Sequence, residues 1–426
     1  MMRKHVGMAM IWLLLIVMMF SATVQGKTII THLAYVSSGQ QHADWLMKKA
    51  ADFMALYPDI QVDIVVGNHD KMKTMMAAGV DPDIFDLPDF DYLGGLGQLA
   101  DIRPMLERDR LINAFNPIMM DRLIQPNGAI YKVPLEVAIS TAWYNRDIFH
   151  QTGLTTPDRL GSNWTWDMMV EVGKKTTLDL NGDGMPDIFG IDRPWGYWRT
   201  AVYQAGGKFY EFDENQNPVK SLWNTPEVLR GVQYVESFYR LRITPHHTVS
   251  DQTQYYFWTG KTALDITDGL AIINVYLKNS DVDWDFMLQP AGPAGPIAAA
   301  AAISGPLIMK STKDLEATWK WAKFIAMDRE QIGDFVKITG RMPALLSAQP
   351  FYPEYMGLTK KNFQAVIEQS NYPPPVEYPV SNALAPRLVS LDPVWKGDQP
   401  AANFLQALHE KMTNIIKEEQ AARATK

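Results

Sequence analysis

Apolar and polar positions after residue 26 alternate between strand-like runs and helical stripes. A strand is predicted where β-branched and apolar residues are continuous, and a helix where apolar residues recur every three or four positions. In chain order these patterns predict a strand at Lys27–Val36, a helix at His42–Tyr57, a strand at Ile60–Val66, a helix near Lys71–Ala78 and a strand at Asp83–Phe85. This order is typical of an α/β layer with a mostly parallel sheet.

Three later helices are predicted from apolar residues that recur every three or four positions, and two of them also from the residues at their N-termini. Thr225 precedes Pro226, so an N-cap residue is followed by proline at the first helical position. Ser311–Asp314 resembles a capping box in front of a further apolar stripe. The apolar positions from Leu405 to Ile415 predict a C-terminal helix, and the Pro/Gly-rich segment 289–296 indicates a connection between two lobes.

The first 26 residues have the pattern of a secretory signal peptide. Arg3 and Lys4 give a basic start, Val6–Phe20 is apolar throughout, and small residues follow before Lys27. The apolar run is shorter than the ~20 residues that a membrane-spanning helix needs. We therefore expect residues 1–26 to be cleaved and the protein to be exported, with an uncleaved membrane anchor as the alternative.

Composition narrows the class of protein further. The chain has 426 residues, of which 47% are hydrophobic and 20% charged, and a formal net charge of -7, so it is a globular chain large enough for two domains. It has no basic face of the kind that binds nucleic acid. Because it has no cysteine, it has no disulfide, no cysteine nucleophile and no lipoprotein anchor. We expect a monomer that diffuses freely in the periplasm.

A series of short motifs lies in a recognisable order along most of residues 28–420. The motifs are Pro82–Phe85 with Gly97–Ile102, Lys132–Pro134 with Tyr144–Phe149, Thr165–Asp167, Gly206–Gly207, Phe257–Ala263, Gly305 and Thr339–Pro343. In this order they resemble the family 1 extracellular solute-binding proteins of ABC importers, the group that includes the maltose-binding protein.

The resemblance implies an α/β, two-lobed periplasmic-binding-protein fold with the ligand cleft between lobes that a multi-strand hinge joins. The N-terminal lobe would comprise residues 27–137 and about 297–345, and the C-terminal lobe residues 138–296 and about 346–426. It also implies that the protein is not an enzyme. Such a protein captures a sugar or oligosaccharide by hinge closure and delivers it to the permease of an ABC transporter.

The resemblance and the chemistry of sugar recognition together indicate candidate ligand-binding residues. Sugars pack their C–H faces on aromatic rings and exchange hydrogen bonds with planar polar side chains. The candidates are Gln40, Gln41, Asp86, Asp89, Asp91, Glu136, Trp143, Trp195, Tyr197, Trp198, Asp268 and Arg341. For each of them, the alternative to ligand binding is a structural position, either packed inside a lobe or the hinge or exposed on a loop.

One departure from the family bears on the ligand. Where the maltose-binding protein has a glycine-proline-tryptophan element after the second crossover, this sequence reads Asp268-Gly269-Leu270. Because leucine has no ring to stack on a sugar, maltodextrin itself is in doubt as the ligand.

The segment 179–187 has the spacing of a calcium-binding loop, with a glycine at its sixth position. Its candidate metal ligands are Asp179, Asn181, Asp183, the carbonyl oxygen of Met185, and Asp187. Position 12 is Gly190, so the usual bidentate glutamate is missing. We expect a structural Ca²⁺ of reduced affinity and no catalytic cofactor, with a metal-free Asx-rich turn as the alternative.

Other functions stay open at this point. A glycerol-phosphate or polyol is an alternative ligand, and a sensory sugar receptor would rely on the same closure. A glycoside hydrolase would use two carboxylates such as Glu136 and Asp265, but the order of the motifs speaks against it. The sequence contains no Walker A, H-E-x-x-H or G-x-S-x-G motif.

Overall fold

The computed structural model describes residues 27–36, 38–87, 92–125, 127–247, 255–267, 269–274, 280–297, 302–373, 375 and 380–424. The expected signal peptide and the candidate residues Asp89, Asp91 and Asp268 lie outside this set. Within it, no helix is both long enough and apolar enough to cross a membrane.

The strands form three sheets and one two-stranded ladder. They are β1 (Thr28–Ala34), β2 (Ile60–Val66), β3 (Ile84–Phe85), β4 (Glu136–Ala138), β5 (Ala142–Asn145), β6 (Phe189–Asp192), β7 (Tyr210–Phe212), β8 (Pro218–Ser221), β9 (Thr262–Asp265), β10 (Trp284–Met287), β11 (Ala302–Ser304), β12 (Leu307–Ile308) and β13 (Met342–Pro343).

The α-helices lie between these strands and after the last of them. They are α1 (Gln40–Leu56), α2 (His69–Ala77), α3 (Tyr92–Gly95), α4 (Arg103–Arg108), α5 (Pro117–Asp121), α6 (Arg146–Thr152), α7 (Trp166–Thr176), α8 (Trp198–Gln204), α9 (Pro226–Arg240), α10 (Leu315–Ala326), α11 (Arg329–Thr339), α12 (Tyr352–Met356), α13 (Phe363–Ser370), α14 (Asp392–Trp395) and α15 (Ala401–Ala424). Short 3-10 turns occur at Pro157–Arg159, Gly161–Asn163, Pro194–Gly196, Phe257–Thr259, Leu270–Asn274, Gln349–Phe351 and Pro386–Leu388.

Local sequence signals explain where several helices begin. The predicted α1, α9 and α15 are confirmed, and α9 starts at Pro226 directly after Thr225. The start of α10 differs in detail from the predicted capping box, because Asp314 is the N-cap and its Oδ1 accepts the backbone N–H of Ala317 at 2.9 Å. One carboxylate therefore satisfies a backbone donor that the first turn leaves without a partner.

β1 lies inside the first sheet, whose strand order is β12-β3-β1-β2. It pairs in parallel with β2 and β3, while β12 runs antiparallel to β3. This confirms the predicted, mostly parallel α/β layer. The carboxyl ends of β1 and β3 meet at one edge of the sheet, where Tyr35 and Asp86 follow them.

The second sheet has the order β10-β5-β9-β6 and buries both of its faces. Because side chains alternate along a strand, Trp143 and Phe286 share one face, with ring centroids 4.7 Å apart. Tyr144 and Met287 lie on the other face. Apolar side chains from its two faces pack into the cores on either side of the sheet.

A third sheet, with the antiparallel order β11-β4-β13, lies beside the passages between the first two. The chain runs from β4 to β5 through residues 139–141, leaves β9 through residues 266–269, and leaves β10 through residues 288–297. We call these the first, second and third crossings. The first two are joined by a bridge between Ser140 and Gly269.

Buried apolar side chains form two large cores. The first core lies around the first sheet and includes Phe53, Trp319 and Trp321, whereas the second includes Trp166 and Trp223. Burying a large apolar side chain contributes about 1.5–3 kcal/mol. Burial can therefore stabilise both cores in a chain that has no disulfides. The exact lobe boundaries stay a prediction.

Candidate functional site

A cavity of ≈ 430 Å³ opens where the carboxyl edge of the first sheet meets the third sheet. Its wall includes side chains from α1, from the segment after β3, from β4 and from the turn before β13. The predicted candidates Asp86, Glu136 and Arg341 all line it. A cavity of this size suits a small organic ligand.

Glu136 and Arg341 form an ion pair in the wall of the cavity. Glu136 is the first residue of β4 and pairs in register with Pro343 of β13, two residues after Arg341. The Nη1 atom of Arg341 donates to Oε1 of Glu136. Burial raises the pKa of Glu136, and the nearby Arg341 opposes this rise. The second oxygen, Oε2, is buried and accepts no hydrogen bond from a described residue.

Asp86 is held at the end of β3 by contacts on both carboxylate oxygens. Its Oδ1 accepts the backbone N–H of Tyr35, the residue that follows β1. Its Oδ2 lies 3.6 Å from Nε2 of His32, a fully buried residue of β1. The carboxylate is therefore anchored on the sheet edge while its side chain is partly exposed to the cavity.

His42 and Trp45 also line the cavity and are not among the candidates predicted from the sequence. Both lie on the buried face of α1 and pack on Phe335 of α11, with ring centroids 5.7 Å and 5.2 Å away. Burial is the main cause that lowers the pKa of His42, so its imidazole is neutral at pH 7. His42 Nδ1 and Trp45 Nε1 are buried and form no hydrogen bond within the described chain. The sequence signal that could have identified them is their three-residue spacing, which places both side chains on one face of the predicted helix.

Gly305 shapes the cavity wall through its lack of a side chain. It lies between β11 and β12, and a Cβ atom at this position would come within 2.0 Å of the carbonyl oxygen of Val133. Only glycine allows the two backbone segments to approach this closely.

Other predicted candidates lie away from this cavity. Gln40 and Gln41 are exposed on the first turn of α1, and the Gln40 amide donates to Asp44 at 2.7 Å. Trp143 is fully buried in the second sheet. Residues lining the cavity do not include these three.

The aromatic segment before α8 packs mainly into the second core. Tyr197 and Trp198 are 1% and 6% exposed, and the Tyr197 hydroxyl bonds to Gln204. Trp195 is partly buried and borders a small depression of ≈ 10 Å³ beside Arg193. The structure thus brings together Asp86, Glu136 and Arg341 and separates them from this segment.

Two carboxylates lie side by side at the ends of β6 and β9. Asp192 and Asp265 are paired in register and fully buried. Nη2 of Arg193 lies 3.3 Å from Asp265 Oδ2, and its guanidinium stacks on Tyr255 at 3.9 Å. Burial, followed by the charge of Asp265, raises the pKa of Asp192 to about 7.

The segment 179–187 forms a self-contained turn. Both oxygens of Asp179 accept backbone N–H groups of the segment, from Gly182 at 2.7 Å and from Gly184 at 2.8 Å. These bonds lower the pKa of Asp179. Among the residues described, no group of three or more acidic or histidine side chains is arranged to hold a metal ion. Binding of calcium by this segment stays a prediction.

The chain has clear similarity to known proteins. The family model for bacterial extracellular solute-binding proteins matches residues 39–332. A lactose-binding protein of Rhizobium radiobacter is 27% identical over 182 residues, which is 40% of each chain. An arabinooligosaccharide-binding protein of Halalkalibacterium halodurans is 26% identical over 47% of this chain and 44% of its own. The matches thus span less than half the length of these relatives.

Solved structures resemble nearly the whole chain. An ABC substrate-binding protein of Listeria monocytogenes in complex with cycloalternan has a TM-score of 0.70 and 21% identity, covering 92% of this chain and 99% of its own. UspC of M. tuberculosis has a TM-score of 0.74 and 19% identity, with 91% and 100% covered. These likenesses confirm the predicted fold of two α/β lobes joined by a multi-strand hinge.

Proposed function

This chain belongs to the family of bacterial extracellular solute-binding proteins, and from that premise we propose that it captures a sugar or oligosaccharide for an ABC importer. Relatives named as lactose-binding and arabinooligosaccharide-binding support this ligand class. The lobes would close on the ligand by a hinge motion at the three crossings, and the closed form would dock on the permease.

The observation that carries the proposal is the mixture of rings and planar polar groups in the cavity. Trp45 offers an apolar ring in its wall, and Asp86 and Glu136 offer carboxylate oxygens. A sugar hydroxyl that reached the buried Oε2 of Glu136 would supply the hydrogen bond that this atom lacks. Leaving such a buried polar atom without a partner costs about 1–3 kcal/mol, so a ligand that donates a hydrogen bond to it is favoured over one that does not.

Two acids, Asp86 and Glu136, balance two cations, Lys132 and Arg341, among the residues that line the cavity, and this balance supports a neutral ligand over a phosphate ester. The guanidinium of Arg341 is already paired with Glu136, and a phosphate would compete with that carboxylate and lie close to Asp86. A glycerol-phosphate is therefore the second candidate, and a neutral polyol fits the same groups. Leu270 lines the cavity where the maltose-binding protein has its tryptophan, which supports a ligand other than maltodextrin.

We further propose that the protein acts after export, as a free monomer in the periplasm with residues 1–26 removed. The description of the family as extracellular supports export, and the absence of cysteine from the sequence supports a form without a lipid anchor. A sensory receptor would use the same closure, and binding to a purified permease distinguishes the two uses.

The test is a thermal-shift screen of purified residues 27–426 against lactose, arabinotriose, maltotriose, sorbitol and glycerol-3-phosphate. A ligand at 100 times its dissociation constant stabilises the fold by about 2.7 kcal/mol. We expect a neutral sugar to raise the melting temperature and to be recovered intact. Cleaved sugar would instead support a hydrolase, and a response to glycerol-3-phosphate alone would support the second candidate.

A pair of variants shows whether binding occurs in this cavity. Glu136→Gln changes a carboxylate of the cavity wall, whereas Glu211→Gln changes an exposed acid of β7. We expect the first to weaken sugar binding at least tenfold and the second to leave it unchanged. Equal affinities for both variants would place the ligand elsewhere.

A further inference from the structure

His32 lies behind the cavity, where the proposed function does not use it. It is a fully buried residue of β1, and its ring meets that of Trp321 edge to face, with centroids 6.0 Å apart. A polar ring in the first core needs hydrogen-bond partners, because a buried polar atom without one is costly. Its two nitrogens have different neighbours, Trp321 at Nδ1 and Asp86 near Nε2.

One of these contacts fixes the tautomer of His32. The indole N–H of Trp321 donates to Nδ1 of His32 at 3.2 Å. A nitrogen that accepts a hydrogen bond carries no proton, so the neutral ring must carry its proton on Nε2. Trp321 is itself fully buried on α10, which keeps this donor in place.

The proton on Nε2 faces the cavity carboxylate. Nε2 lies 3.6 Å from Oδ2 of Asp86, and it makes no shorter hydrogen bond with any described residue. This distance is longer than a good hydrogen bond, but it is short enough for electrostatic attraction between the buried nitrogen and the carboxylate oxygen. A small movement of Asp86 toward the ring would satisfy both atoms.

We propose that His32 is a positioning residue for Asp86. Trp321 orients His32, His32 offers Nε2–H to Oδ2, and the backbone N–H of Tyr35 holds Oδ1. With both of its oxygens held from the protein side, Asp86 keeps one orientation and presents its remaining lone pairs to the cavity. It can then only accept hydrogen bonds, so the ligand group that meets it must be a donor, such as a sugar hydroxyl. This inference rests on the proposed function for the identity of the ligand.

Two variants separate the two nitrogens. The amide nitrogen of His32→Gln lies close to the position of Nε2 and can donate to Asp86. The amide oxygen of His32→Asn lies close to Nδ1 and can accept from Trp321, but no donor then faces Asp86. Circular dichroism and thermal unfolding verify that both variants are folded. If the role of His32 is purely structural, the two folded variants should bind the sugar with equal affinity.

The experiment measures calorimetric affinities of the wild type and both variants for lactose, arabinotriose and maltotriose. We expect His32→Asn to bind the recognised sugar about tenfold more weakly, the loss that follows from removing a hydrogen bond to a charged group. His32→Gln should stay within about threefold of the wild type. Equal affinities for both folded variants would overturn the proposal.

Two readouts decide the proposal without any ligand. Nitrogen-15 NMR of the histidine-labelled, ligand-free protein should show His32 protonated on Nε2, and protonation on Nδ1 would contradict the proposal. Crystal structures should show the Asp86 carboxylate turned away in His32→Asn and unchanged in His32→Gln. If the wild type bound none of the three sugars, the proposed sugar function would fail for them, while these two readouts would still decide the role of His32.

Discussion

At the scale of single residues, the pair of Glu136 and Arg341 combines a structural and a binding role. Arg341→Ala leaves the carboxylate of Glu136 buried without its cation. We expect the free energy of unfolding at pH 7 to fall by about 1–3 kcal/mol, as measured by urea denaturation. Because Glu136 already has a raised pKa, the loss should shrink as the pH is lowered and the carboxyl group becomes protonated.

The double variant Arg341→Ala/Glu136→Gln is the matched control for this pair. A neutral amide has no charge to bury, so part of the stability lost in Arg341→Ala should return. If the single and double variants unfolded at the same urea concentration, the charge of Glu136 would not be the cause of the loss.

A second residue-scale prediction concerns the pH dependence of stability near Asp192. Its pKa is raised to about 7 in the folded state, so between pH 4 and pH 7 the folded protein holds a proton that the unfolded chain has lost. Stability therefore falls as the pH rises through this window. Asp192→Asn should flatten that part of the stability curve, measured by urea unfolding at several pH values. An unchanged slope in the variant would assign the pH dependence to other groups.

At the scale of elements, the loop between α7 and β6 is the candidate site for a structural calcium ion. We propose weak binding by the segment 179–187, in which Asp179, Asn181, Asp183 and Asp187 would supply side-chain oxygen ligands. Calcium at millimolar concentration should then raise the melting temperature of the wild type but not of Asp183→Ala. Magnesium serves as the control ion, and no shift with calcium would establish a metal-free turn.

Sequence reasoning located the elements better than the site. The spacing of apolar residues is sufficient for α1 and α9, because burial of one helix face dictates that spacing, and continuous apolar runs are sufficient for the parallel strands. Trp143 and Tyr197 show the limit, since an aromatic residue has the same signature whether it faces a cleft or a core. His42 is absent from the predicted candidates, because its place on the buried face of a helix does not distinguish a cavity wall from a core. Asp86 is predicted from its position after a strand end, and Arg341 from the turn at 340–343 that the family resemblance marks.

At the scale of the whole molecule, two glutamines, Gln369 and Gln289, join the three crossings. Gln369 of α13 is 1% exposed. Its amide nitrogen donates to the Ser140 carbonyl of the first crossing at 3.0 Å, and its amide oxygen accepts the backbone N–H of Gln289 in the third at 2.9 Å. The side chain of Gln289 in turn donates to the carbonyl of Ile266 in the second, at 2.9 Å. A hinge motion must therefore pivot about these bonds or break them.

Gln369→Leu tests whether this network sets the balance between open and closed lobes. The change leaves a carbonyl and an N–H of two crossings without their partner, which should cost about 1–3 kcal/mol of stability. Gln349→Leu is the matched control, because Gln349 is also buried and donates to the Pro343 carbonyl at 3.0 Å, which belongs to none of the three crossings. If the network positions the lobes, Gln369→Leu should alter the change in radius of gyration that the recognised sugar produces in X-ray scattering, and Gln349→Leu should not. If both variants lost stability yet closed like the wild type, the glutamines would support the fold of the hinge without governing its motion.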